Sequence, residues 1–160
     1  MPPPKYPLDP LARLRSKQVE DATTVLAASV RARESAATER EAAERKRDVH
    51  EAHAARERRA SMDALGRGEL CAGDLMQKHA WEHRVRTEAE ELALGVDGAR
   101  SLECSACEAE TRAQSAAAQR KAESDAVAKD EARWRKERSS RAESRDEDAA
   151  AEAWGGKAKR

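Results

Sequence analysis

There is no phenylalanine in this chain, and its aromatic residues are Tyr6, Trp81, Trp134 and Trp154 alone. Large aliphatic side chains are nearly as scarce, because most of the 39% hydrophobic share is alanine. A compact core needs bulky side chains to offset the entropy of ordering the chain, so this composition excludes an ordinary globule. Proline does not occur beyond Pro10 and glycine is sparse, which leaves few places where the chain must turn. No run approaches the ~20 consecutive apolar residues of a membrane span. No apolar stretch follows Met1, which argues against a secretory signal. Neither sign of charge dominates: 31 basic residues balance 31 acidic ones. A general nucleic-acid binder shows a basic excess, so that class is disfavoured. Three cysteines, an odd number without a signal segment, fit a reducing compartment better than a disulfide framework.

What is abundant is Ala, Glu, Arg and Lys, the composition of long helices or coiled coils. Residues 1–8 are Pro-rich and read as an extended N-terminal tail. Asp9 followed by Pro10 reads as an N-cap and first helical residue. A helical pattern then fills 9–66 and ends at Gly66 and Gly68. A turn over 67–73 leads to a second helix over 74–153, with Asp74 as its cap, and a C-terminal tail over 154–160 begins at the Gly155–Gly156 stop. At ~1.5 Å per residue these helices reach about 85 and 110–120 Å, lengths that need a partner. Gly95 and Gly98 interrupt helix propensity, and a break at VDGAR with Asp97 as a cap would give three helices, but the apolar pattern keeps its phase across them and favours one continuous helix.

That pattern is clearest in the second helix. Val85, Ala89, Leu92, Val96, Ala99, Leu102, Ala106, Ala109, Ala113 and Ala116 recur mostly at steps of four and three, the seam of a coiled coil, with one irregular step at Leu102. It continues less cleanly through Arg120 and Val127 to Trp134. The first helix has a weaker stripe: Leu11, Leu14, Gln18, Ala22, Val25, Ala28, Ala32 and Ala36, then Ala43 and Val49. The short connection predicts an all-α, long antiparallel two-helix coiled-coil hairpin. A turn centred near residue 69 sets Leu11 opposite Ala128 and Leu8 opposite Glu131. The leucines of YPLDPLARLR then close the open end against Val127 and Trp134.

Little here reads as chemistry. Cys104 and Cys107 form a C-x-x-C without the second pair of a zinc ribbon, and read as small buried or half-buried residues beside the seam. His50, His53, His79 and His83 fall within two turns of one another in the expected register. Four imidazoles there are a possible divalent-metal set, against solvated flanking positions on a charged helix. HAARERR (53–59) and RWRKERSSR (133–141) are basic runs, read first as charged helical faces, then as contacts for an acidic protein surface, and third as contacts for nucleic acid. No phosphate loop, paired catalytic carboxylate or nucleophile–base pair is present, so no enzymatic activity and no cofactor are expected.

The stretch YPLDPLARLR…EDA resembles the opening of the FliJ/YscO family, stalk proteins of flagellar and injectisome type III secretion. An aromatic residue, a leucine, Leu-x-x-Leu with arginine at a helix start and an acidic pair before Ala22 carry the likeness. The hairpin architecture, the glycines at the turn and Trp134 after Asp130 and Glu131 extend it. The resemblance implies a central stalk that binds in the hexameric export ATPase, promotes its assembly and activity, and links it to the export-gate membrane protein. It also implies contact with export chaperones, and a cytoplasmic location peripheral to the inner membrane, with no nucleic acid and no membrane insertion. By position, Leu8, Leu11, Arg13, Leu14, Arg15, Trp134, Arg135 and Arg138 mark the ATPase end. Leu75, Met76, His79 and Trp81 mark the export-gate end. The rival expectations are a general coiled-coil scaffold or homodimer, and a metal- or redox-sensing helical regulator.

Overall fold

The computed structural model describes residues 5–157. Among these there are two long helices and no strand: α1, Asp9–Gly66, and α2, Ala72–Lys157. The fold is an all-α helical hairpin.

The ends of these helices follow from local hydrogen bonding. Tyr6–Pro7–Leu8–Asp9 forms a turn in which the Asp9 N–H donates to the Tyr6 carbonyl at 3.1 Å, with proline at its favoured second position. The Leu8 carbonyl then accepts the first helical bond, from Ala12. Asp9 is therefore the first helical residue rather than the cap, and its carboxylate sits where the helix dipole favours a negative charge. At the other end Glu69 donates to the Ala64 carbonyl and Gly68 to that of Leu65. This is a Schellman closure, and it needs a left-handed residue. Gly68 supplies it with a φ of 72°, while Gly66 stays helical.

α2 starts two residues before the expected Asp74. Cys71 is its cap, since the Cys71 carbonyl accepts the first helical bond, from Leu75. The Asp74 carboxylate reaches back to accept the Cys71 backbone N–H at 2.8 Å. That is the acidic half of a capping box, three residues inside the cap. α2 also continues through Gly155 and Gly156 to Lys157, past the expected stop. Residues 1–4 and 158–160 of the expected tails lie outside the described residues.

α2 passes through Gly95 and Gly98 without a break. Nothing stands within 4 Å of the place where a Cβ would be added at either glycine. Alanine at each position should stabilise the helix by about 0.5–1 kcal/mol, since only backbone freedom is at stake. Thermal melting of Gly95→Ala/Gly98→Ala should therefore lie above that of wild type. A melting point at or below wild type would mean that the glycines serve the packing after all.

The described residues form two units, residues up to Leu26 with those from Ala113 onward, and Ala27–Arg112. In the Ala27–Arg112 unit, one row of half-buried and buried positions on α2 runs Val85, Ala89, Leu92, Val96, Ala99, Glu103, Ala106 and Glu110, with the expected Ala109 half-buried beside it. Val96 is the most enclosed, with 2% of its surface exposed. Leu102 is 60% exposed, and Glu103 holds the seam in its place. That substitution removes the irregular step and restores an unbroken alternation of four and three. On α1 the inward positions run Ser29, Arg33, Ala36, Arg40, Ala43, Arg47, His50 and Ala54, so the expected Ala28, Ala32 and Val49 lie one position off. Arginines and glutamates meet across the pair: Arg33–Glu110 at 2.6 Å, Arg40–Glu103 at 2.7 Å and Arg100–Glu44 at 2.9 Å. The hydrogen bond from Arg100 holds the Glu44 carboxyl below its usual range, helped by the charges of Arg40, Arg100 and Arg47.

In the other unit the inward positions are Ala12, Arg15, Val19, Ala22 and Leu26 on α1, against Ala113, Ala117, Arg120, Ser124, Val127, Glu131 and Trp134 on α2. The expected Ala116 is again displaced by its neighbour, Ala117. The expected register sets Arg15 opposite Ser124 and, in the Ala27–Arg112 unit, His50 opposite Ala89. The structure pairs them with the adjacent Glu123 and Glu88.

Candidate partner-binding surfaces

The residues expected at the ATPase end all belong to the unit that holds both chain ends. Leu8 and Leu14 do not make the closure there. Leu8 and Leu14 are 43% and 52% exposed, and Leu11 is half-buried. Tyr6, only 8% exposed, does the closing. Its hydroxyl donates to Asp130 Oδ2 at 2.5 Å. Its ring meets Trp134 edge to face, with centroids 5.6 Å apart. Arg138 lies over the Trp134 ring, 5.4 Å from its centroid. The clasp is thus an aromatic pair with a polar pin on one ring and a cation on the other, two arrangements that add to plain area burial. The Pro7 turn aims Tyr6 back at α2, whereas Leu14 falls outside the seam phase and Leu8, which precedes the first helical residue, stays exposed.

Tyr6 is the only tyrosine, so phenolate absorbance reports it alone. Its pKa is pushed up to about 12, chiefly by the hydrogen bond to Asp130, then by burial and by the charges of Asp130 and Glu131. The fold favours the neutral phenol. The resulting stability is complete below the ordinary value of 10.0 and is lost as pH rises towards 12. An absorbance titration should show a midpoint near pH 12 in wild type and a lower one in Asp130→Asn. A wild-type midpoint at the ordinary value would mean that the clasp is open in solution.

The arginines at this end differ in what they are free to do. Arg15 is half-buried and committed, with Nη1 donating to Glu123 at 2.5 Å and to Gln18 at 2.9 Å. Burial raises the Glu123 pKa, but hydrogen bonds from Gln119 and Arg120 and the charges of Arg15 and Arg120 leave it lowered. Arg15 is thus a cross-helix tie. Arg13 and Arg135 are exposed and bond only one turn away on their own helices, to Asp9 at 2.8 Å and Glu131 at 2.5 Å. Surface pairs of this kind are weak and are readily exchanged for a partner's carboxylates.

At the turn end, Leu75, Met76 and His79 line one shallow groove with Ala80. Leu75 and Met76 are exposed. Trp81 is half-buried and lies in a different groove, with Asp74, Lys78 and Arg84. The structure therefore brings three of the four expected gate-end residues together and sets the fourth apart. Met62 and Leu65, in the last turns of α1, are further exposed apolar side chains that the sequence reading passed over.

The candidate chemistry comes apart in the same way. Cys71, Cys104 and Cys107 are exposed free thiols, so the C-x-x-C pair lies outside the seam rather than half-buried in it. His50 is half-buried against Glu88 at 3.1 Å, while His53, His79 and His83 are exposed. No group of three or more potential ligands is placed to hold a metal among the described residues. No helix among the described residues is long and apolar enough to cross a membrane.

The family model described as YscO-like protein matches residues 3–155. The chain belongs to the YscO-like family. No match is found among curated proteins or among solved structures. Membership makes this YscO-like chain a type III secretion-related protein of the stalk kind, with protein partners in the secretion apparatus. Two surfaces of the YscO-like hairpin that offer exposed, weakly committed side chains are the clasp end, with Arg13 and Arg135, and the Leu75–Met76–His79 groove.

Proposed function

We propose that this protein is the central stalk of a type III export apparatus. Its clasp end binds in the hexameric export ATPase and promotes the assembly and activity of that enzyme. Its turn end, through Leu75, Met76 and His79, contacts the export-gate membrane protein and so links the two. It works in the cytoplasm, peripheral to the inner membrane, handles export chaperones in passing, and catalyses no reaction itself. The observation that carries this reading is the family match over residues 3–155. The exposed Arg13 and Arg135 beside the clasp support it, because they offer charge to a partner without disturbing the helix pair.

The test is co-purification with the export ATPase of the same secretion system, together with ATP hydrolysis rates. Wild type should bind and stimulate the ATPase. Arg13→Glu/Arg135→Glu should keep its helicity, since exposed charges contribute little to stability, yet lose about tenfold in affinity at low salt and less at high salt. Leu75→Asp/Met76→Asp should leave ATPase binding intact and weaken binding to the export gate. A scaffold without a secretion role predicts no ATPase contact, so an ATPase that is neither bound nor stimulated by wild type rejects the stalk.

A further inference from the structure

The seam phase of α2 does not stop where α1 runs out. Continued from Trp134 at steps of four and three, it reaches Arg138, Arg141 and Arg145, then Asp148 and Glu152. Trp134 and these three arginines line one groove of about 210 Å³ together with Glu137 and Ala142, so the three arginines outweigh its single carboxylate. Elsewhere, seam arginines of one helix meet carboxylates of the other, as in Arg15–Glu123 and Arg40–Glu103. In this groove Arg138 lies on the Trp134 ring and has no carboxylate partner among the described residues. Arg145 has none either, and Arg141 has only Glu137 of its own helix, at 3.8 Å. The same pattern of arginines thus recurs without the helix that answers it.

We propose that α2 from Trp134 to Arg145 is a docking surface for an acidic amphipathic helix of a partner protein. The carboxylates of that helix, spaced by three and four, face Arg138, Arg141 and Arg145, and one apolar residue covers Trp134. Planar guanidinium groups in a row suit carboxylates better than lysines do, and the indole is a ready anchor for an apolar side chain. A second copy of this chain also matches by charge, with Arg145 opposite Asp148 and Arg141 opposite Glu152. Its contacts are exposed ion pairs, each worth little in water, and they bring nothing to Trp134. Such pairs alone fall short of the cost of association. The inference rests on reading this end as partner-binding, and it names what that partner presents.

The experiment uses the full chain and a fluorescently labelled helical peptide with glutamates at three-four spacing and one leucine. A second peptide carries lysine in place of each glutamate. The acidic peptide should bind wild type saturably at low salt. Arg138→Glu/Arg141→Glu/Arg145→Glu should weaken that binding by about tenfold and turn the preference towards the lysine peptide. Arg133→Glu, exposed and off this face, should change it by no more than about twofold. Circular dichroism checks that the variants remain helical. Equal binding of both peptides, or no effect of the triple variant, overturns the docking surface. So does a concentration-dependent dimer that the triple variant abolishes, which would make the occupant a second copy. The peptide assay contains no ATPase, so its failure leaves the stalk reading standing. A stalk that fails to bind the ATPase leaves the peptide result untouched.

Discussion

Val96→Asp should melt the middle of the Ala27–Arg112 unit. Val96 is the most enclosed side chain among the described residues, and its neighbours along the seam, Leu92 and Ala99, offer a carboxylate nothing to bond. An unpaired buried charge costs several kcal/mol, on the order of 3–5 by comparison with broken buried pairs. Alanine seams bury little area per turn, so few other contacts are available to offset that loss. Circular dichroism should show a large loss of helix at room temperature. The control is Leu102→Asp, at a larger apolar residue only six positions away but exposed. Its effect should stay within about 0.5 kcal/mol. Equal loss in both variants would reject the seam phase that places Glu103 inward and Leu102 outward.

Tyr6→Ala should release the first turns of α1. The clasp of Tyr6 on Asp130 and Trp134 joins the segment before α1 to α2 by side-chain contacts. Without it the helix start is held by Arg15–Glu123 and small seam residues. Amide hydrogen exchange near Asp9 and Ala12 should speed up by about tenfold or more, because local opening there no longer breaks the clasp. Exchange around Val96 should not change. Tyr6→Phe keeps the ring contact and loses only the bond to Asp130, so its effect should be intermediate. Unchanged exchange in Tyr6→Ala would show that the leucines close this end after all.

The second helix was legible in the sequence because its inward positions carry Val85, Leu92, Val96 and Val127, whose apolar character marks the phase. It misled at Leu102, where a leucine lies one residue before the true seam position and a glutamate holds it. Apolarity suggested one phase there, and helical geometry, which cannot slip by one residue inside a continuous helix, imposed the other. The first helix was harder for the same reason. Arg33, Arg40 and Arg47 occupy seam positions and bury their stems, while Val25 and Val49 face outward, so a search for apolar periodicity follows the wrong stripe. The cap assignments missed by one position at α1 and three at α2, because an acidic residue in the first helical turn looks like a cap in sequence. Tyr6 was missed as a structural residue because it precedes the helix and belongs to no period. The available signal was a lone tyrosine followed by proline, a turn that folds a large ring back onto the helix start. The exposure of Arg13 and the commitment of Arg15 were not legible, since only the register says which of two nearby arginines faces a carboxylate.

The scarcity of buried apolar surface also shapes the response of this protein to temperature. Heat capacity rises on unfolding mainly because apolar surface meets water. Among the described residues the enclosed apolar side chains are Tyr6, Ala54, Val85, Val96 and Ala113, and much of the remaining seam is alanine and the stems of paired arginines. Opening such a seam hydrates little that was dry. The stability curve should therefore be only weakly bent by temperature, and urea should act with a gentle slope for a chain of this length.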